Sequence, residues 1–246
     1  MKRQRSYSRK DSYYHLTQRP LNSLVFVLPL LLIYHVGALY YQDQRLLVPR
    51  YVDWFLVYFG APRQVLAPLL ILSVLVLQHL ARKEPWKVHG WVLTGTLAES
   101  LALTIPLIIL ARVTGWVSVM FAQVSQPALP QTGMLMIASV GAGLYEEFIF
   151  RLVYIALFML VVVDVAGLRK DLAEVLAVLS GALIFALCHF SWAQISGDAA
   201  FDWSRFLFLL LAGVIWGTVF LARGYGVAVG SHIMWDIYAT LAHNAV

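Results

Sequence analysis

Charge and cysteine are what this chain has least of. Of its 246 residues only 13% are Asp, Glu, Lys or Arg, one is cysteine, and 61% are hydrophobic, with a mean hydropathy of +0.75. So little charge excludes a soluble domain, because a core of this size could not hide so much apolar surface; the composition is that of an integral membrane protein. The single cysteine, Cys188, excludes an internal disulfide and a thiolate metal cluster. It adjoins His189, but neighbours on a helix point about 100° apart, so Cys188 is expected to be a small apolar core residue rather than a partner in Cys/His catalysis. Polar linkers and low-complexity stretches are missing too, which leaves a basic tail, residues 1–20, and one membrane domain, residues 21–246. Ten-residue segments of alternating polarity are also absent. An open sheet cannot survive in lipid, so the expected fold is all-α, a polytopic transmembrane helical bundle.

Long hydrophobic runs are what the chain does have. The tail carries Lys2, Arg3, Arg5, Arg9, Lys10 and Arg19 and precedes an apolar run from Leu21 to Tyr41. That run is long enough to span and has no small-residue cleavage site after it, so it reads as an uncleaved first helix with its N-terminus cytoplasmic. The net charge of +5 therefore orients the protein at an inner membrane face, and nucleic acid is not an expected partner. Further runs cover Val65–Leu80, Trp91–Ala111, Gly133–Phe150, Leu152–Ala166, Leu172–Trp192, Phe206–Ala222 and Gly226–Ala242, making about eight helical segments. Tyr51–Gly60, rich in Trp and Tyr, is too short to span and is expected at the interface. Arg82, Lys83 and Lys87 belong on the cytoplasmic side, while Thr114–Thr132, without Lys or Arg, belongs outside. If Gly133–Phe150 and Leu152–Ala166 each cross, Arg169 and Lys170 fall outside and Asp198 and Asp202 inside, against the rule. If the two form one bent or re-entrant unit, the signs come right.

Three ionisable clusters interrupt the apolar runs. Each such group is expensive in lipid, at least about 2.5–3.5 kcal/mol on insertion scales, and normally faces a bundle interior or wet cavity with a functional purpose. Glu146 and Glu147 stand side by side with Arg151 close behind. Glu147 and Arg151 are four apart, on one helix face, and can pair. Glu146 is left to face a cavity, where it can take a proton from water as a general base. Phe185 and His189 share a face, as do His232 and Asp236, where the carboxylate can fix the imidazole's tautomer. Packing readings stand beside these: a core histidine, or an interhelical polar clamp worth under about 2 kcal/mol. Glu99 is expected to hydrogen-bond internally or line a cavity. His35, His79 and Asp164 lie at or near helix ends, where interfacial hydration explains them. Gly213 with Gly217, and Gly226 with Gly230, have the spacing of close helix packing.

The three clusters, in order and spacing, resemble the CAAX protease and bacteriocin-processing (Abi) family of intramembrane endopeptidases. Its first motif, two glutamates, three residues and an arginine, matches Glu146 to Arg151. Its second, phenylalanine, three residues and histidine, matches Phe185 to His189. Its third, histidine, three residues and Asn or Asp, matches His232 to Asp236. The resemblance covers residues 133–246, the earlier half matching only as generic membrane helices. It implies hydrolysis of a peptide bond in a membrane-associated peptide or protein, including C-terminally processed ones, by a multi-pass protein of a membrane such as the prokaryotic inner membrane. By the same resemblance Glu146 activates water, His189 helps hold it, His232 and Asp236 support the oxyanion or complete the site, and Glu147, Arg151 and Phe185 brace it. Some members have Asn at the last position. Asn donates to an oxyanion and ionised Asp does not, so Asp236 would act through His232, through a metal or in its protonated form. Glu146, His189 and His232 also have the ligand types of a His₂–carboxylate zinc site, although no HExxH signature is present; the expectation is water held by Glu146 and His189, with zinc as the alternative rather than a requirement. The competing functions are a non-catalytic membrane module, such as a bacteriocin-immunity or scaffold protein, and a proton-coupled transporter.

Overall fold

The computed structural model of the protein describes residues 12–41, 63–116 and 129–244, and among them regular structure is helical throughout, with no strand. This is the all-α polytopic bundle that the composition demands. A short helix α1 (Tyr13–Thr17) leads into α2 (Pro20–Tyr41), followed by α3 (Arg63–Arg82), α4 (Gly90–Ala102), α5 (Thr104–Val113) and α6 (Leu129–Glu147). After a π-helical turn at Phe148–Val153 come α7 (Tyr154–Met159) and a second π turn at Leu160–Val165. The chain continues as α8 (Lys170–Leu187), a short α9 (Trp192–Ser196), α10 (Trp203–Arg223) and α11 (Tyr225–Asn244). The interfacial segment expected at Tyr51–Gly60, the basic residues before Asp11 and most of the Thr114–Thr132 connection lie outside the described residues.

Four stretches, 20–41, 90–113, 132–165 and 203–223, are long and apolar enough to cross a membrane, and 67–82 is a shorter apolar helix. Their outward faces carry large side chains that no soluble protein would leave uncovered, among them Leu32, Val36, Leu39, Leu157 and Leu207; lipid is the solvent that suits them.

The structure decides one expectation left open and corrects three. The two segments counted at Gly133–Phe150 and Leu152–Ala166 are the single unit that the charges favoured: Thr132–Val165 is one helix of 34 residues. At 1.5 Å per residue it is about 50 Å long, more than one ~30 Å hydrocarbon crossing needs and too short for two crossings with a turn. Trp91–Ala111, expected as one helix, breaks at Leu103 between α4 and α5. Pro106 explains the break, because it has no N–H for the Ala102 carbonyl and its ring crowds that carbonyl. Cys188 is exposed rather than in the core. His79 is buried, 1% exposed, its ring packed edge-on against Trp86 with centroids 4.3 Å apart, so hydration at an interface does not account for it.

The C-terminal helix is the centre of the bundle. α11 packs against α6, α4, α10 and α2, and from Tyr225 to Trp235 every residue except Met234 is buried. A helix covered on all sides must be small or apolar all round, and Tyr225-Gly226-Val227-Ala228-Val229-Gly230-Ser231 meets that demand. The glycine pairs serve the same end. A Cβ on Gly213 would lie 3.0 Å from Ala182 Cα, and one on Gly217 would lie 3.1 Å from Val178 Cγ1, so α10 approaches α8 almost backbone to backbone. Of the apolar clusters that result among the described residues, two are large. One is built on Val27, Ile71, Leu144 and Val229, the other on Leu107, Phe185, Phe208 and Trp216. Leu152 belongs to the first and Phe150 to the second, so the segment bearing the paired glutamates runs along their seam.

Candidate active site

Glu147 is the anchor of the site. Fully buried at the end of α6, it takes His232 Nδ1 at 2.8 Å on Oε1 and stands 3.3 Å from Arg151 Nε through Oε2. The expected pair with Arg151 therefore forms, although the backbone between them has passed into a π turn. Such single π turns are common where a helix carries a functional group. The Arg151 guanidinium, 2% exposed, also donates from Nη2 to the Gly213 carbonyl at 3.3 Å and lies 4.6 Å over the Phe185 ring. A buried cation needs this degree of satisfaction, because a lone charge in low dielectric is far more costly than a paired one.

Glu146 is one residue earlier and points elsewhere, as a helical step of about 100° requires. Its Oε2 faces two imidazoles, 3.7 Å from His189 Nε2 and 3.8 Å from His232 Nε2. Both gaps are too long for a direct hydrogen bond and of the size that one water molecule spans. Asp236 Oδ2 closes the group at 3.6 Å from His232 Nε2.

The tautomers follow from the other ring nitrogens. His189 sits in the turn just past α8, and its Nδ1 lies 2.8 Å from the Phe185 carbonyl. A carbonyl only accepts, so Nδ1 carries the hydrogen and Nε2 offers its lone pair toward Glu146. At the end of a helix this contact also satisfies a carbonyl that has no partner within the helix. For His232, the carboxylate of Glu147 accepts from Nδ1 in the same manner and leaves Nε2 to the site. Exposure rises in one direction across the cluster, from 0% at Glu147 and 4% at His232, through 9% at Glu146, to 21% at His189 and 26% at Asp236. The mouth of the site is thus bordered by His189 and Asp236.

All seven residues singled out from the three motifs meet here. Glu146, Glu147 and Arg151 come from the long helix, Phe185 and His189 from α8 and its terminal turn, and His232 and Asp236 from α11. Whether Glu146, His189 and His232 fit zinc is a separate matter. The donor types suit it, but in a tetrahedral site with ligands about 2.0–2.1 Å from the metal the donors stand roughly 3.3–3.4 Å apart, closer than the 3.7 and 3.8 Å observed. Among the described residues no group of three His, Cys, Asp or Glu side chains is arranged to hold a metal ion.

Two residues of α10 belong to the site beyond the three motifs: Gly213, singled out from the sequence only for its packing spacing, and Trp216, which was not singled out. Gly213 supplies the carbonyl for Arg151, and Trp216, 1% exposed, stacks on the His232 ring with centroids 3.9 Å apart and planes 11° from parallel. A tryptophan in the middle of a span, where most membrane tryptophans sit at interfaces, was the available clue. Glu99 takes the internal option: Arg223 grips it through Nε at 2.6 Å and Nη2 at 2.8 Å, and Tyr13 donates to it at 2.8 Å. That clamp fastens α1, α4 and α10 together.

Comparison with known proteins points to one family. Residues 127–238, a little under half of the chain and the part that holds all three motifs, match the family model described as type II CAAX prenyl endopeptidase Rce1-like. No curated protein and no solved structure gives a match.

Proposed function

We propose, from the similarity of residues 127–238 to the type II CAAX prenyl endopeptidase model, that the protein is an intramembrane endopeptidase that hydrolyses a peptide bond in a membrane-associated peptide or protein. One observation carries the reading. Glu146 Oε2 stands 3.7 Å and 3.8 Å from two imidazole nitrogens, a water-sized gap inside an apolar bundle, and unlike Glu147 it has no direct hydrogen bond among the described residues.

In the proposed reaction, water held between Glu146 and the lone pair of His189 Nε2 attacks the carbonyl carbon of the scissile amide while Glu146 takes its proton. The new C–O bond pushes the carbonyl electron pair onto oxygen, giving a tetrahedral oxyanion. His232, protonated at Nε2, donates to that oxygen, with Asp236 as its ionic partner. Asp236 thus acts through His232 and need not donate itself. Glu146 then gives the proton to the amide nitrogen as the C–N bond breaks, releasing an acid and an amine and regenerating the carboxylate. Glu147 and Arg151 hold His232 in place throughout. Water activation of this kind requires no metal, so cleavage is expected to persist in chelator. Loss of activity in chelator, restored by zinc, would put a metal in the site instead.

The single 132–165 helix also supports an orientation. With the N-terminus cytoplasmic and crossings by α2, α3, α4–α5, the long helix, α8, α10 and α11 in turn, Arg82, Lys83, Lys87, Arg169 and Lys170 fall on the inner side. Asp198 and Asp202 fall on the outer side.

The decisive experiment incubates purified protein with lipidated and unlipidated tail peptides beside Glu146→Gln, and maps the cuts. Glu146→Gln is expected to fold and to lose roughly 10²–10⁴-fold in cleavage rate. A wild-type rate in this variant removes the reading. A scaffold would keep its binding phenotype in the variant, whereas a proton relay would lose pH-driven transport without any peptide being cut.

A further inference from the structure

We propose that Trp216 is a positioning residue for His232, acting through the face of its indole ring. The inference rests on the hydrolytic reading above and adds to it a residue that none of the three motifs contains.

His232 needs more than its one short hydrogen bond to stay in register. Its Nδ1 is tied to Glu147 at 2.8 Å, but one hydrogen bond fixes one point and leaves the ring free to swing about it, carrying Nε2 away from Glu146 and Asp236. A flat surface against the ring removes that freedom. Trp216 is such a surface, 3.9 Å away and within 11° of parallel, and the Phe185 ring meets the imidazole nearly edge-on at 6.2 Å and 79°. The plane of the ring is then set by Trp216 and its Nδ1 end by Glu147.

Why an aromatic face and not the indole N–H? A buried tryptophan usually finds an acceptor for its nitrogen. Trp216 Nε1 is buried and has none among the described residues, so the ring is not held for its hydrogen bond. The contacts it does make are with rings and a cation: His232, Phe185 at 6.0 Å, and Arg151 at 5.9 Å from the ring centroid. Trp216 therefore touches the two groups that Glu147 also touches, His232 and Arg151, and completes a box around them. α10 can bring it there because Gly213 and Gly217 let that helix close on α8.

A space-filling role would predict something different, and the full chain in nanodiscs tells the two apart. Trp216→Phe keeps a flat face; Trp216→Leu does not. Loss of a group that orients a site residue typically costs 10- to 100-fold. Trp216→Leu is accordingly expected to lower kcat by about that factor with KM changed by less than about threefold, while Trp216→Phe stays within about fivefold of wild type. Added to His232→Ala, Trp216→Leu should have almost no further effect, since effects that pass through one group are not additive. If Trp216→Leu fails to fold in a thermal melt, Trp216→Met takes its place with the same expectations. Independently of any reaction, ¹⁵N-histidine NMR should show the Nδ1 bond of His232 to Glu147 kept in all three proteins, with its Nε2 signal sharp in wild type and Trp216→Phe and broadened by ring motion in the variant without the ring. An unchanged His232 spectrum in that variant overturns the proposal, as do equal losses in the Leu and Phe variants, or a full multiplicative loss on top of His232→Ala. Should Glu146→Gln cleave normally, the hydrolytic reading fails, and the NMR comparison still decides what Trp216 does to His232.

Discussion

Two adjacent glutamates take different work because a helix sends neighbours in different directions. Glu147 is fully buried and bound to His232 and Arg151, whereas Glu146 is left facing two imidazoles across gaps too wide to bond. Removing one partner of a buried ion pair strands the other, at a cost of about 3–5 kcal/mol. Arg151→Met should therefore destabilise the folded protein by that order in a denaturation experiment in detergent, and Glu147→Gln combined with Arg151→Met should recover part of the loss without restoring cleavage. Outside the spans, Tyr13 carries a prediction about pH. Burial first, and then the Glu99 carboxylate that its hydroxyl touches, push its phenol from 10 up to about 12. A group whose folded pKa is raised stabilises the fold fully below its unfolded value and loses that contribution as pH climbs through the folded one. The wild type should thus melt progressively lower between about pH 10 and pH 12, and Tyr13→Phe should remove this part of the alkaline slope. An identical alkaline slope in the variant would show that Tyr13 does not contribute.

At the scale of elements, close helix approach brings the site together. A Cβ on Gly213 would meet backbone at Ala182 Cα, 3.0 Å away, which no rotamer change relieves. Gly213→Val should destabilise by about 1–3 kcal/mol through overpacking and, by lifting α10 off α8, should also loosen Arg151 and Trp216. A thermal shift without any change in cleavage would separate the packing role from the site. The pairs read from spacing are legible at this scale: Gly213 and Gly217 do meet α8, and Glu147 does meet Arg151. The break at Leu103 was not foreseen, although Pro106 contained the information, because a hydropathy window sums over a proline as over any other residue. Nor were the π turns, since their sequences are as apolar as the α-helix around them.

For the whole molecule, the length of one helix decides the path of the chain. In the proposed orientation, with Thr132–Val165 crossing once as a single helix, the two ends of α8 lie on opposite sides of the membrane and Cys188 faces outward. It is the one cysteine in the sequence and it is exposed, so it reports its own side. A membrane-impermeant maleimide should label intact cells or right-side-out vesicles without permeabilisation. Labelling that appears only after lysis would reverse the orientation.

The sequence by itself determined that this protein lives in lipid, that it is helical, and which ionisable residues must be sheltered, because hydration energies and the unsatisfied backbone leave a chain of this composition no other solution. Periodicity further determined which of those residues share a helix face. Only the tertiary structure decided that Glu146, His189, His232 and Asp236 gather in one cluster and that Trp216 lies flat on His232. Periodicity relates residues three and four apart, while the cluster joins positions tens of residues apart, brought into register by the way α11 packs among its neighbours.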